Sequence, residues 1–409
     1  MHTMPRDVKM TSKPGLGGAP HLAGQLELLD GTQARDPNRA RKFDLLGKLE
    51  DDRIAPYLRY IACGLCMPAP IAVDLDVSSV CNFNCPGCVD GISLNRGLIP
   101  ADRLKALILE LAESGVKAIN FVGGGEPTTH SGLPECIQRA DYCGLVTALV
   151  TNGSRLHKNL EVYAESVSSW LRVSVDAATA RTHATVHGVD ETYFPTIIDS
   201  LEILAGIKRA HLGYSFVVFP TGPRANYHEI ADAARMAKDT GCDYFEPKVA
   251  VHPPTKQILP VPTRVIEVIR EQVARARELD DAAFRTVAPP SLLRLATGQA
   301  QSQKKTYPVC LAQELRTTIT PSGLYACTYR RGENRWCYGS LEEGSFQTLW
   351  RGPRRRQVKD QLFPERDCRH FCCRHQQNRY LHQLSAGTLV GADAAKLAAP
   401  PAVDDVWYP

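Results

Sequence analysis

From residue 69 to about 280 the sequence alternates short apolar runs with longer amphipathic stretches, and this repetition constrains the fold more than anything else in the chain. Strands are predicted at 71–77, 117–122, 145–151, 170–175, 212–219 and 243–251, where β-branched and apolar residues dominate. Helices are predicted at 101–115, 131–141, 157–168, 191–208, 226–240 and 262–279 from apolar residues three and four apart. Pro100 and Asp102 stand where the first of these helices should start, and Gly115 where it should stop. A strand–helix repeat lays parallel strands side by side with helices outside. Six such units are too few to close an eight-stranded barrel. The expected fold is therefore α/β: an open, partial (β/α)6 parallel barrel.

In parallel βα folds the working residues gather at the C-terminal ends of strands. The first strand, Ile71-Ala-Val-Asp-Leu-Asp-Val77, leads into Cys81-Asn-Phe-Asn-Cys85-Pro-Gly-Cys88. A [4Fe–4S] cluster normally takes four cysteines. A loop with three leaves one iron open to a further ligand. A closed zinc site uses four ligands, commonly as two separated pairs, and this spacing is not a pair. The second strand ends in Gly123-Gly124-Gly125-Glu126-Pro127. Without Cβ atoms its backbone can approach a ligand closely, although a tight strand-to-helix turn would use the same residues. Polar groups also mark the later ends: Thr151-Asn152-Gly153, Ser174-Val-Asp176, Phe219-Pro-Thr221 and Glu246-Pro-Lys248.

Composition removes several alternatives. At 409 residues the chain can hold one large domain and a smaller one, and 44% hydrophobic residues is ordinary for a globular protein. A net charge of +4, with no long run of one sign, disfavours a dedicated nucleic-acid binder. The start, Met1-His-Thr-Met-Pro-Arg6, has no apolar h-region, and no stretch is long enough to span a membrane. A cytoplasmic location is expected. In that reducing setting fourteen cysteines read as metal ligands rather than disulfides.

Taken in register, Cys-x3-Cys-x2-Cys after a first strand and Gly-Gly-Glu-Pro after the second resemble the radical S-adenosylmethionine (radical SAM) superfamily. The resemblance implies a [4Fe–4S] cluster on Cys81, Cys85 and Cys88 whose open iron chelates the methionine part of SAM. It implies that Gly124, Gly125 and Glu126 lie at the SAM amino group, and that Asn152, Ser174 and Asp176 contact its ribose or carboxylate. Any of these polar groups could equally be a helix cap. The superfamily often has an aromatic residue just before the third cysteine, packing near the adenine. Here that residue is Gly87, which passes adenine recognition to a later strand.

From Tyr307 the composition changes, with Cys310, Cys327, Cys337, Cys368, Cys372 and Cys373 in one segment. Residues Arg316 to Cys327 read as strand, turn, strand, with Pro321-Ser-Gly323 as the turn. This pattern resembles the SPASM/twitch extension of radical SAM enzymes, which carries auxiliary [4Fe–4S] clusters. The Gly323-x3-Cys327 step is one residue shorter than usual. The single-cluster twitch form is expected, with Cys310, Cys327, Cys372 and either Cys368 or Cys373 as ligands. A zinc ribbon from the same residues is the alternative.

Other residues carry weaker signals. Cys63-Gly-Leu-Cys66 reads as two buried cysteines in a turn, or as ligands of a cluster or zinc. Cys136, Cys143 and Cys242 fall at core positions of inert thiols. His183 and His187, one helical turn apart, read as a polar rim over the SAM pocket or as metal ligands. The expected organisation is an N-terminal extension at 1–68, loose at first and helical from Phe43 to Cys63. A partial barrel at 69–280 follows, then a small α+β cluster domain at 281–385, opened by a connection at 281–309, and a tail at 386–409.

The function implied is reductive cleavage of SAM to a 5′-deoxyadenosyl radical that abstracts hydrogen from a substrate. Glu246 and Lys248 are the candidate catalytic residues at the substrate, and a reductant such as flavodoxin or ferredoxin is the expected partner. Because residues 1–68 lack the strands of a leader-binding module, a small polar metabolite of sugar or aminocyclitol type is expected, undergoing oxidation, dehydration or epimerisation. A peptide-modifying maturase is the alternative, and an iron–sulfur or zinc scaffold the non-enzymatic one.

Overall fold

The computed structural model describes residues 47–91, 94, 97–296, 304–369 and 371–386. The readings made for residues 1–46, for Gln299 to Gln303 and for the tail beyond 386 lie outside the described residues.

The chain enters through helix α1 (Ala55–Ala62), then strand β1 (Ala72–Asp76), α2 (Ala101–Glu113), β2 (Ala118–Val122) and α3 (Leu133–Tyr142). It continues as β3 (Val146–Thr151), α4 (Leu160–Ser166), β4 (Trp170–Ser174), α5 (Ala180–His187), α6 (Tyr193–Ile207), β5 (His211–Val218), α7 (Ile230–Asp239), β6 (Tyr244–Val249) and α8 (Thr263–Arg277). All six predicted strands and the helices between them are present. The stretch read as a connection also contains β7 (Arg285–Thr286) and α9 (Pro290–Ala296). Helix α2 follows Pro100, and the chain leaves it through Ser114 and a left-handed Gly115, φ 92°.

Strands β1 to β7 pair in parallel, in sequence order. The sheet is open, as expected for an incomplete barrel. Its outer face is apolar: Val73, Leu75 and Val77 of the first strand pack with Leu104, Leu107 and Ile108 of α2 in one large core. The opposite face, with period two, begins with small side chains, Ala72, Ala118 and Ala148. Further along β1 and β2, and on β4 and β6, that face turns polar, with Asp74, Asp76, Asn120, Arg172, Ser174, Glu246 and Lys248.

After α10 (Ala312–Leu315) comes β8 (Arg316–Thr320), which pairs in parallel with β1, from Ala72 opposite Arg316 to Leu75 opposite Ile319. β9 (Gly323–Tyr325) and β10 (Cys337–Gly339) then add antiparallel. The C-terminal hairpin thus extends the barrel sheet on its β1 edge. Gly323 is required by close approach, because a Cβ there would stand 2.4 Å from the Gly339 carbonyl oxygen. Helices α11 (Phe346–Arg351), α12 (Pro353–Gln361), α13 (Pro364–Asp367) and α14 (His375–Ser385) complete the segment.

The residues before β1 belong with this C-terminal part. Leu58 and Ile61 of α1 pack with Ala312, Leu315 and Leu381. Glu314 is buried, held by Arg355 and by Lys359 at 2.9 Å, and accepts from the Met67 amide at 3.2 Å. The Arg355 guanidinium stacks on Trp350, 3.6 Å from the ring centroid.

Candidate functional site

Residues 81–88 leave β1 and curl over the C-terminal ends of the strands. Cys81, Cys85 and Cys88 line one cavity of about 320 Å³ with Gly123–Glu126, Asn152, Ser174, Asp176, Phe219 and Lys248. The predicted cysteines, glycine loop and polar strand ends therefore meet at one place, together with Lys248. Glu246 is not on the cavity wall: its carboxylate accepts from Arg172 at 2.7 Å and pairs with Lys248 at 3.1 Å.

Each loop around the cavity is held by its own polar side chains. Glu126 is buried, and its Oε1 accepts from Thr128 N at 3.0 Å and from the hydroxyls of Thr128 and Thr151 at 2.6 Å. Its Oε2 accepts from Asn152 N at 2.7 Å. Burial still raises its pKa above the ordinary carboxylate value, against those donors. The carboxylate therefore braces the β2 loop against the end of β3, and the cavity wall here is largely the Gly123–Gly125 backbone. Gly125 answers to a second constraint, since a Cβ would stand 2.3 Å from the Val80 carbonyl oxygen. Asn152 holds the cysteine loop in turn, donating to Asn82 Oδ1 at 3.2 Å.

Asp176 adopts φ 58°, a left-handed conformation uncommon for a non-glycine residue and found where surroundings enforce it. Its Oδ1 accepts from Val217 N at 2.7 Å, and its Oδ2 lies 3.6 Å from His187 Nε2. His187 also reaches the cysteine loop, with Nδ1 3.2 Å from Cys85 Sγ. His187 thus sits on the cavity wall as read from the sequence. His183 does not: it is fully buried behind Phe83 and His187, with neither ring nitrogen hydrogen-bonded among the described residues. Burial, then the neighbouring His187, push its pKa down to about 3, which makes it a neutral core residue.

Burial pushes Cys81 up to about 11 and Cys85 up to about 12, and raises Cys88 as well. Without metal these groups are neutral thiols, so loading must displace protons. Glu126 and Asp176 add negative charge near Cys81 and Cys85, while Lys256 and Arg331 act the other way at Cys88.

Sequence reasoning missed the ion pairs under this site. Asp74 is buried and bound by Arg316 of β8, by Arg374 at 3.1 Å, and by Asn120 at 2.9 Å. Burial raises its pKa, but Arg316 and Arg374 outweigh that and hold it below the usual range. Asp76 pairs with Arg331 at 2.9 Å, and Arg331 also binds Asp90. Burial raises Asp76 to about 7 despite Arg331. Two aspartates in an apolar strand were a visible signal, but nothing in the sequence named their arginine partners.

Phe219 ends β5, and the next loop returns over it. Asn226 closes that loop: its side chain accepts from Phe219 N at 2.8 Å and donates to the carbonyls of Asp176 at 2.8 Å and Val217 at 3.0 Å. The loop carries Arg224, whose guanidinium lies over the Phe219 ring, 4.6 Å from its centroid. Its Nη1 occupies the space beside Gly87, 1.8 Å from where a Cβ would be.

The other cysteines divide clearly. Cys310, Cys327, Cys368, Cys372 and Cys373 interact electrostatically with one another and with Tyr307 and Tyr329, although 63 residues separate the first from the last. Burial pushes Cys310, Cys327 and Cys368 each up to about 11, with Arg374 or Arg330 opposing. Cys337 stands apart, bonded to the Gly339 carbonyl at 3.5 Å. Cys136 and Cys242 are buried and Cys143 half-buried. Cys63 and Cys66 are exposed, not buried, because α1 turns its apolar side inward and the chain leaves it over the surface at left-handed Gly64. No disulfide forms among the described residues, which include all fourteen cysteines. No three His, Cys, Asp or Glu side chains among them converge on a single ion-sized point, and no described helix is long and apolar enough to cross a membrane.

Residues 75–245 match the family model described as the Radical SAM superfamily. This stretch is a radical SAM domain. The superfamily is one of enzymes, and membership implies a 4Fe–4S cluster and SAM. The residues present fit both: three thiols share one cavity with a close-approach glycine backbone and carboxylates. The chain is 29% identical over 164 residues to the S-adenosylmethionine-dependent nucleotide dehydratase of Flammeovirga pacifica, covering 39% of this chain and 56% of that protein. It is 26% identical over 300 residues to the mycofactocin maturase MftC of Mycobacterium ulcerans, covering 72% and 78%. The chain spans about half the length of several curated relatives it matches. Among solved structures, Streptococcus suis SuiB superposes with a TM-score of 0.56 at 16% identity, over 82% of this chain and 77% of that one, a likeness of fold.

Proposed function

We propose that this protein cleaves SAM reductively at a cluster held by Cys81, Cys85 and Cys88, and holds a second iron–sulfur cluster on Cys310, Cys327, Cys372 and one of Cys368 or Cys373. The observation that carries the reading is the second thiol group. Five cysteines distant in sequence come near enough to influence one another electrostatically, around Arg374, which donates to the Arg316 carbonyl at the start of β8. When bound, the two clusters supply electrons, one for SAM cleavage and a donor or acceptor for the substrate radical. The chain's own residues orient and enclose. Gly123–Gly125 offer backbone to the methionine end, and Asn152, Ser174 and Asp176 offer polar atoms.

The substrate class proposed is a small polar metabolite. The polar inner face, with Arg172, Glu246 and Lys248 in one ion-paired row, supports it. Lys248 faces the cavity, and Glu246 orients its ammonium group. A peptide substrate is the second reading, supported by similarity to a maturase over 72% of the chain. The test is an anaerobic assay of the reconstituted protein with reductant, SAM and either polar metabolites or peptides. Formation of 5′-deoxyadenosine together with a mass change in a metabolite supports the first reading, and a mass change in a peptide only supports the second. No 5′-deoxyadenosine under any condition overturns both.

A further inference from the structure

We infer that the substrate carries an anionic group, a carboxylate or a phosphate, and that Lys248 binds it inside the cavity. The inference rests on the metabolite reading above and narrows it. Among the described residues Lys248 is the only lysine or arginine on the cavity wall. Its side chain keeps 27% of its surface exposed and is reachable from that space.

The ammonium group is short of negative charge. Among the described residues Glu246 is its one ion-pair partner, with Oε2 at 3.1 Å. The same oxygen already accepts from Arg172 at 2.7 Å, so one carboxylate faces two cations. The other carboxylates of the cavity are engaged elsewhere. Glu126 accepts four hydrogen bonds, Asp90 pairs with Arg331, and Asp176 accepts from Val217 N and faces His187. Asp176 attracts Lys248 only from beyond ion-pair distance. An ammonium group has three N–H donors, and one carboxylate oxygen takes only one of them. Burial, then Arg172, hold the Lys248 pKa below the ordinary lysine value, with Glu246 opposing. A ligand anion beside it favours the charged form and offsets both.

The arrangement is built across three strands. Gly213 and Ser215 of β5 lie between Arg172 and Ser174 of β4 and Tyr244 and Glu246 of β6. Side chains this small let Arg172 reach over β5 to Glu246. Gly213 also makes room for the Tyr244 ring, since a Cβ there would stand 2.1 Å from its Cζ. Arg172 and Glu246 thus form a floor. Lys248, two residues further along β6 on the same face, stands above it at the cavity. The methionine end of SAM is read at the loops of β1 and β2, and β6 is four strands from β2 in the sheet. Lys248 is therefore placed for an anion of the substrate rather than for the SAM carboxylate.

The test is equilibrium dialysis of the anaerobically reconstituted, SAM-bound protein against radiolabelled inorganic phosphate and radiolabelled malonate, without reductant. Wild type should bind at least one of them, and the tighter one tells a phosphate ester from a carboxylic acid as the substrate. Lys248→Met keeps the stem and removes the charge. It should weaken that anion about tenfold, the loss expected for a charged hydrogen bond, while SAM affinity stays level. Lys248→Arg keeps a cation and should retain most of the binding. Glu246→Gln frees both cations and should tighten the anion about tenfold, a direction that damage to the fold does not produce. No binding of either anion, equal binding by wild type and Lys248→Met, or a loss of SAM affinity in step with the anion in Lys248→Met overturns the inference. Anion binding by a protein that forms no 5′-deoxyadenosine with reductant, or that changes peptides only, overturns the reading above and leaves the anion site standing.

Discussion

The two cysteine groups of this chain are assembled in opposite ways. Cys81, Cys85 and Cys88 come from a single loop, and their positions follow from one strand end. Cys310, Cys327, Cys368, Cys372 and Cys373 come from four places between the end of the barrel and α14, and only packing unites them. Their electrostatic settings differ too. The loop thiols open onto a cavity with Glu126 and Asp176 nearby. The C-terminal thiols have Arg374, Arg330 and Lys305 around them. The first setting is mixed, since Lys256 and Arg331 act at Cys88 and Lys248 lines the same cavity, whereas the second is dominated by cations that offset the charge of several thiolates.

The largest test of that division removes each group separately. Replacing Cys81, Cys85 and Cys88 with Ala should abolish SAM cleavage and leave about four irons per chain. Replacing Cys310, Cys327 and Cys372 should also leave about four irons, but with SAM cleavage retained and substrate turnover lost. Iron analysis with Mössbauer spectroscopy and 5′-deoxyadenosine assays read both. A tightly held zinc in place of iron in the first variant would end the proposal of a second cluster.

A next test strikes the joint between the groups. Asp74 on β1 binds Arg316 of β8 and Arg374, which follows Cys373 directly. Asp74→Asn removes the charge bound by the buried Arg374 and the half-buried Arg316 and should cost about 3–5 kcal/mol, read as a lower urea midpoint at constant slope. An unchanged midpoint would mean that the two regions are not coupled through this pair.

Smaller still is the brace within the first site. Glu126→Gln must turn an amide N–H toward one of four donors, so about 1–3 kcal/mol should be lost, with weaker SAM binding. The smallest effect is a pH dependence. Burial raises Asp76 to about 7 in the fold, above its value in the unfolded chain. The native state then holds more protons than the unfolded one between about pH 4 and 7, so this group's contribution to stability falls as pH rises through that window. Asp76→Asn should flatten that part of the urea-midpoint profile, and an unaltered slope would assign the dependence elsewhere.

What the sequence determined by itself was the local part. Strand and helix periods follow from side-chain alternation, and the six βα units, the loop ends and the meeting of Cys81–Cys88 with Gly123–Glu126 follow from parallel topology. The glycine run after β2 was legible as close approach, though not what approaches it, which for Gly125 is the Ser79–Val80 backbone; that the Arg224 side chain stands beside Gly87 had no signal in the sequence. Exposure at Cys63 and Cys66, and burial at His183, depended on which side of a helix met the core. Only the tertiary structure decided that the C-terminal hairpin would extend the barrel sheet at β1, because strand pairing across more than 240 residues leaves no local pattern. It also decided the partners of Asp74, Asp76 and Glu246. A buried charge must find an opposite one, but the sequence states only that need, and the fold supplies the arginine.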